Sequence, residues 1–229
     1  MSYEAVSPGE RGRPGLLVDW GGVMTDDVFR SFAAFCADEG LAEDAVARTF
    51  RGDPTARGLL AGLETGAVSE PEFEAGLAAV LGVAAPGLIV RLMGRVRIQP
   101  RMVRAVRAAR RGGIRTGLVS NSWGSGGYDR ALLAELFDGV VISGEVGSRK
   151  PSREIYELGA RAIGLEPAQC VFVDDLGGNL KPALELGMAV VHHTSADETI
   201  ARLSEYLAVD LAAAADEFEK ADEYEEGAS

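Results

Sequence analysis

Residues 16–25 read Leu-Leu-Val-Asp-Trp-Gly-Gly-Val-Met-Thr, a short apolar run that ends on Asp19 and meets the glycine pair Gly21-Gly22. A run of this kind bounded by a turn signal predicts a buried strand that carries an acid at its carboxyl end. Following the chain outward, residues 26–97 keep helical spacing with no strand signal between them. Within that block Ser69-Glu70-Pro71-Glu72 predicts a capping box, and Phe73, Leu77, Val80 and Leu81 follow at helical spacing up to Gly82. From Pro100 the rhythm changes to helix 100–111, strand 114–119, helix 128–137, strand 139–142, helix 152–163, strand 170–173, helix 177–186 and strand 188–192. A last helix opens on a second capping-box pattern, Ser195-Ala196-Asp197-Glu198. Strands separated by single helices predict right-handed crossovers, hence an α/β fold with a parallel, Rossmann-like sheet and helices on both faces. The expected division is an α/β core of residues 14–25 and 98–208, an all-helical cap of residues 26–97, and a disordered acidic tail of residues 209–229. Residues 1–13, with Pro8, Gly9 and Gly12 and followed by Pro14, are expected to be an unstructured lead-in.

The chain of 229 residues is 47% hydrophobic and 25% charged, which is enough to bury a core and excludes disorder throughout. No run of about 18 apolar residues occurs and the N-terminus has no apolar signal-like stretch, so a cytoplasmic protein is expected. Cys36 and Cys170 are too few for a disulfide framework or a cysteine-based zinc site. The net charge of −12 disfavours nucleic acid and anionic membrane as partners. That charge is uneven. Residues 205–229 hold nine acids and one lysine, whereas residues 91–115 hold nine arginines and no acid. Either the tail is a solubilising end or it contacts the arginine segment, in which Arg104, Arg107 and Arg111 share one helix face. The chain has only three lysines, Lys150, Lys181 and Lys220.

In a parallel sheet, ligands bind beyond the carboxyl ends of the strands. The residues there are Asp19, Ser120-Asn121, Lys150 after the third strand, and Asp174-Asp175. Adjacent carboxylates repel one another unless a cation or hydrogen-bond donors compensate them. Asp19 and Asp174 offer hard oxygen ligands suited to Mg²⁺, Ser120 and the backbone N–H of Asn121 can donate to phosphate oxygens, and Lys150 adds positive charge. With that support Asp19 can attack phosphorus. His192 and His193, adjacent on a strand, point to opposite faces and form no ready-made metal pair. Trp20 either lines a substrate entrance or packs beneath the cap.

The ordered segments Leu16–Thr25, Gly117-Leu-Val-Ser-Asn-Ser122, Ser148-Arg-Lys-Pro151 and Val171-Phe-Val-Asp-Asp-Leu-Gly-Gly-Asn-Leu180 resemble the haloacid dehalogenase-like hydrolase superfamily. The likeness covers residues 14–208. It is to the branch with a helical cap inserted after the first motif, and within it to the amino-terminal phosphatase-like domain of soluble epoxide hydrolases. The resemblance implies a Mg²⁺-dependent phosphatase acting on a small phosphorylated metabolite through an aspartyl-phosphate intermediate, with a cap that closes over the strand ends. It makes Asp19 the nucleophile and a metal ligand, Gly21 (through its carbonyl), Asp174 and Asp175 the other metal-site residues, and Ser120 and Lys150 the phosphate ligands, beside which the backbone N–H of Asn121 is a further candidate. A homodimer is left open. One departure stands out: phosphatases of this superfamily carry a second Asp, for acid–base catalysis, where this chain has Gly21. An inactive or weak ligand-binding, regulatory relative is therefore the alternative, and a 2-haloacid dehalogenase-type hydrolase a lesser one. Phosphonoacetaldehyde hydrolysis needs a cap lysine, and residues 26–97 contain none.

Overall fold

The structure is a computed structural model that describes residues 13–213 except Ser125. Five strands, β1 Gly15–Val18, β2 Arg115–Ser120, β3 Gly139–Ile142, β4 Cys170–Asp174 and β5 Ala189–His192, form one sheet in the order β3-β2-β1-β4-β5. All four pairings are parallel. Alternate side chains of the central strands fill two different layers, as the two-residue strand period requires. Leu16 and Val18 join Leu118, Val171 and Val173 on one face, whereas Leu17 joins Val119 and Phe172 on the other.

Eleven helices are described: α1 Val28–Asp38, α2 Ala45–Gly52, α3 Pro54–Glu64, α4 Glu70–Leu81, α5 Leu88–Met93, α6 Pro100–Arg111, α7 Arg130–Leu136, α8 Ser143–Val146, α9 Arg153–Ala162, α10 Gly177–Glu185 and α11 Ala196–Leu207. Helices α6 and α11 cover the first face of the sheet and α9 and α10 the second. Strand β2 runs one residue later than its apolar pattern suggests, because Ser120 pairs with Ile142 at the end of the ladder. Helix α8 and a 3₁₀ turn at Pro167–Gln169 are too short to show periodicity in the sequence.

Helices α1 to α5 form the insertion after β1. They enclose their own apolar cluster, including Phe32, Phe35, Phe73, Leu77, Leu88 and Leu92. Local signals set their ends: Asp27 and Asp53 cap α1 and α3, Pro54 opens α3, and Ser69 and Glu72 close the expected capping box of α4. The two connections to the sheet layer run side by side. Thr25 bridges Ile98, Gln99 N–H donates to Met24 O at 2.8 Å, and Asp26 N–H donates to Arg97 O at 2.8 Å.

Two expectations are corrected. At α11 only half the capping box forms: Ser195 Oγ accepts from Glu198 N–H, but the Glu198 carboxylate bonds the Thr194 hydroxyl instead. The acidic segment does not leave the fold at residue 209, because residues 211–213 are helical and Leu211 is fully buried in the core. Apolar burial overrides the local charge there; residues 214–229, like 1–12, lie outside the described residues. The arginine segment is largely neutralised within the fold. Arg107 meets Glu135 at 2.6 Å, Arg95 meets Asp38 at 2.9 Å, Arg91 meets Glu39 at 3.1 Å, and Arg101 pairs with Asp197. No helix of the described residues is long and apolar enough to cross a membrane.

Candidate active site

The register of the sheet brings the strand-end residues together. Val18 lies between Leu118 and Val173, and Asp19 N–H extends the ladder by donating to Val173 O at 2.9 Å. Asp19, Ser120 and Asp174 therefore stand at the same edge. Lys150 reaches them from the loop after α8, preceding a cis proline. Its side chain is buried, with Nζ 2.7 Å from Asp19 Oδ1 and 2.7 Å from Asp174 Oδ2, and it lies 5.6 Å from the Phe172 ring centroid. The Asp174 carboxylate also accepts from Leu176 N–H at 2.8 Å and from Asn179 Nδ2 at 2.9 Å.

Gly22, at φ +72°, is needed at this point: a Cβ there would lie 2.4 Å from Asp175 Oδ2. Its absence lets the Asp175 carboxylate approach the others. Carboxylate oxygens of Asp19, Asp174 and Asp175 all fall within 4.8 Å of one another. Burial pushes the Asp19 carboxyl up to about 8, with Lys150 opposing and Asp174 and Asp175 adding to the rise. Burial, then Asp174, pushes Asp175 up to about 6. Burial alone would lower Lys150, but Asp19 and Asp174 outweigh it and hold the ammonium above its ordinary value. Three carboxylates against one ammonium leave surplus negative charge among hard oxygen donors, and this fits a divalent cation such as Mg²⁺.

Ser120 Oγ is 2.8 Å from Tyr128 Oη. Burial pushes the Tyr128 hydroxyl up to about 12, so it remains protonated at neutral pH. The Asn121 side chain, about which the sequence carried no expectation, is occupied with Lys150: Oδ1 accepts from Lys150 N–H at 2.8 Å and Nδ2 donates to Lys150 O at 3.1 Å.

Above these groups is a cavity of about 610 Å³ between the strand ends and the helical insertion. Asp19, Gly21, Ser120, Asn121, Lys150 and Asp175 line it, while Asp174 lies behind Lys150, fully buried. Trp20 lines it as well as being buried, its ring 5.8 Å from that of Tyr128. The insertion contributes mainly apolar wall, with Phe32 and Phe50 packed on Trp123 at ring distances of 5.4 and 5.7 Å. The two histidines separate as their strand position requires: His192 Nε2 bonds Asp175 O and His193 Nδ1 bonds Thr199 Oγ1, each at 2.9 Å.

Asn179, Tyr128, Arg149 and Glu64 belong to the site without having been singled out in the sequence. Asn179 was legible in principle, because it falls in the first turn of α10, five residues after Asp174 within the fourth motif. Arg149 likewise falls within the third motif, Ser148-Arg-Lys-Pro151, whereas Tyr128 and Glu64 carry no local pattern.

A parallel sheet with carboxylates at its strand ends, a buried lysine between two of them and a helical insertion after β1 defines an α/β protein with a polar site at the carboxyl edge of its sheet. The chain belongs to the haloacid dehalogenase-like hydrolase family, whose model matches residues 14–187. It is similar to the bifunctional epoxide hydrolase 2 of Mus musculus, 36% identical over 103 residues, 41% of this chain and 19% of that protein. The chain thus spans about a fifth of the length of that relative. It is also similar to the glyceraldehyde 3-phosphate phosphatase of Methanocaldococcus jannaschii, 27% identical over 100 residues, 42% of this chain and 44% of that one. Among solved structures, a HAD family enzyme of Bacteroides thetaiotaomicron in complex with magnesium and inorganic phosphate shares the fold, with a TM-score of 0.57 and 21% identity over 79% of this chain and 94% of that one.

Proposed function

We propose that the protein is a Mg²⁺-dependent phosphatase that cleaves a small phosphate monoester with an apolar body through an aspartyl-phosphate on Asp19. The observation that carries this reading is Asp19 at the floor of the cavity, 2.7 Å from a buried ammonium and beside the Ser120 hydroxyl. The phosphatase and magnesium–phosphate relatives support it.

Asp19, the Gly21 carbonyl, Asp174 and Asp175 would hold the cation. Bound there, it would offset the charge of the carboxylates and the phosphoryl oxygens and so permit an anionic nucleophile to approach an anionic substrate. Lys150 holds Asp19 in place and adds positive charge at the phosphoryl group. Ser120 Oγ donates its proton to a phosphoryl oxygen, and Tyr128, protonated, donates to Ser120 in turn. Asp19 Oδ bonds to phosphorus as the bond from phosphorus to the alcohol oxygen breaks, the departing oxygen takes its proton from a water molecule, and water then attacks the acyl phosphate to release inorganic phosphate and restore the Asp19 carboxylate. Position 21 offers no side chain to protonate the alkoxide. Phe29, Phe32, Phe50 and Trp123 on the cavity wall, and the exposed Val90, Ile98 and Leu176 beside them, favour an ester whose alcohol is apolar. The cap would exclude water from the reacting centre.

The test is turnover of p-nitrophenyl phosphate and of butyl and decyl phosphate with Mg²⁺, against an Asp19→Asn control. Turnover no greater than that of the control would sink the reading. Gly21 favours a second reading, a regulatory protein that binds the phosphate ester without turning it over. For that protein an alkyl phosphate raises the melting temperature in the presence of Mg²⁺ while no alcohol is released.

A further inference from the structure

Glu64 ends α3, well inside the helical insertion, yet its carboxylate is buried and lines the same cavity as Asp19. Its Oε2 lies 2.6 Å from Arg149 Nε, although the N–H is not aligned with that oxygen, so the contact is one of charge on charge. The Asn121 side-chain amide faces the same carboxylate and favours its charged form. These two partners are the sequence neighbours of the phosphate-site residues: Arg149 precedes Lys150 and Asn121 follows Ser120. Asn121 also grips the Lys150 backbone through two hydrogen bonds. Two residues beyond Glu64, a Cβ on Gly66 would lie 3.0 Å from Gly144 O, so the turn after α3 rests on the backbone of α8. One carboxylate from the insertion thus ties the loop after β2 to the loop that bears Lys150.

Fastening the insertion to the core would not require charge. Burying an ion pair carries a desolvation penalty, and a well-packed apolar contact would hold the surfaces together as well or better. What charge and directed hydrogen bonds add is a fixed arrangement of the groups they join.

We propose that Glu64 is a positioning residue that the cap contributes to the phosphate site: through Asn121 and Arg149 it sets Ser120 and Lys150 around the phosphoryl group. The site is complete only while α3 is seated on the core. The proposal rests on the phosphoryl-binding reading of that site.

The experiment measures inorganic phosphate binding by calorimetry with Mg²⁺, together with KM and kcat for p-nitrophenyl phosphate and decyl phosphate. It compares the wild type with Glu64→Gln, Glu64→Ala, Arg149→Gln and the Glu64→Gln/Arg149→Gln double variant, all first checked for cooperative unfolding. Glu64→Gln is nearly isosteric and keeps an acceptor for Asn121, so it guards against a variant that merely fails to fold. Expected is phosphate binding weakened about 10- to 100-fold in Glu64→Ala, with KM raised in step and kcat changed less, the range for losing a hydrogen bond to a charged group. Glu64→Gln falls between, and the double variant loses less than the sum of its parts. Unchanged phosphate binding and KM in a folded Glu64→Ala would overturn the proposal. So would a loss confined to kcat that is larger for decyl phosphate, because that pattern belongs to proton transfer to the leaving group. A wild type that binds no phosphate with Mg²⁺ sinks the phosphoryl-binding reading itself, an outcome distinct from wild type and variants binding it equally well.

Discussion

The side-chain amide of Asn121 holds the backbone of Lys150 in both directions, accepting from its N–H at 2.8 Å and donating to its carbonyl at 3.1 Å. The chain entering the cis proline at 151 is thereby fastened to the end of β2, and the Lys150 side chain is aimed between Asp19 and Asp174. Replacing Asn121 with Ala leaves a Lys150 N–H and a carbonyl without these partners. The expected cost is about 1–3 kcal/mol of stability, read by urea denaturation, with phosphate binding weakened as the ammonium loses its fixed position.

Lys150→Met removes the ammonium from between two buried carboxylates. Breaking a buried pair by deleting one partner costs about 3–5 kcal/mol, so metal-free protein should unfold at markedly lower denaturant than wild type. On the proposed phosphatase reading, turnover of p-nitrophenyl phosphate should fall to the level of Asp19→Asn. A midpoint unchanged from wild type would mean that Asp19 and Asp174 do not depend on this lysine for charge balance.

Tyr128→Phe deletes one hydroxyl and little volume. Its oxygen is 2.8 Å from Ser120 Oγ, so the loss frees the Ser120 hydroxyl to rotate. A drop of about two- to tenfold in kcat/KM is expected, from a net hydrogen-bond contribution of roughly 0.5–1.5 kcal/mol. The same substitution made on a Ser120→Ala background should have almost no further effect, and kinetics of the four proteins check this.

Gly21→Asp tests whether the chemistry lacks only a proton donor. The nearest heavy atom to a Cβ at this position is Val28 Cγ2 at 3.4 Å, an ordinary contact, so a Cβ is accommodated there without displacing the backbone. If a missing acid limits turnover, the substitution should raise kcat for alkyl phosphates by up to about 10²–10⁴-fold, the usual worth of general acid–base catalysis. It should matter less for p-nitrophenyl phosphate, whose leaving group needs no proton.

Burial pushes the Glu64 carboxyl up to about 7, with Arg149, Lys150 and the Asn121 amide opposing the rise. The folded state therefore holds this proton more tightly than the unfolded chain does. Stability from this group is fully present below the unfolded value near 4.5 and is lost as pH rises through about 7. Across that window wild type should lose on the order of 3 kcal/mol relative to Glu64→Gln, which has no proton to lose there. Paired denaturation curves at several pH values isolate this effect from Asp19 and Asp175, which titrate in both proteins.

Much of the fold was legible because its signals are local. Leu16-Leu17-Val18 before Asp19, the glycines after it, and Ser69 three residues before Glu72 each act within one turn of chain, and the structure places β1 and the α4 cap there. The strand ends carried the acids, the serine and the lysine for the same reason, since a parallel sheet puts its chemistry where its strands stop. Legibility failed where a distant contact outweighs local pattern. Leu211 lies in an acidic stretch but is buried in the core, Glu198 turns to Thr194 rather than closing its box, and the arginines of α6 find acids on α7 and α11.

By itself the sequence determined the alternation of strands and helices, the helical insertion and the identity of the strand-end residues, all written in periodicity and turn chemistry over a few residues. Only the tertiary structure decided the strand order β3-β2-β1-β4-β5, the placement of Lys150 between two carboxylates, the pairing of Tyr128 with Ser120, and the meeting of Glu64 with Arg149 and Asn121. Those relationships join residues that no local rule connects. They are fixed by which surfaces pack and by the need of each buried charge for a partner, and both depend on distances that exist only once the chain has closed on itself.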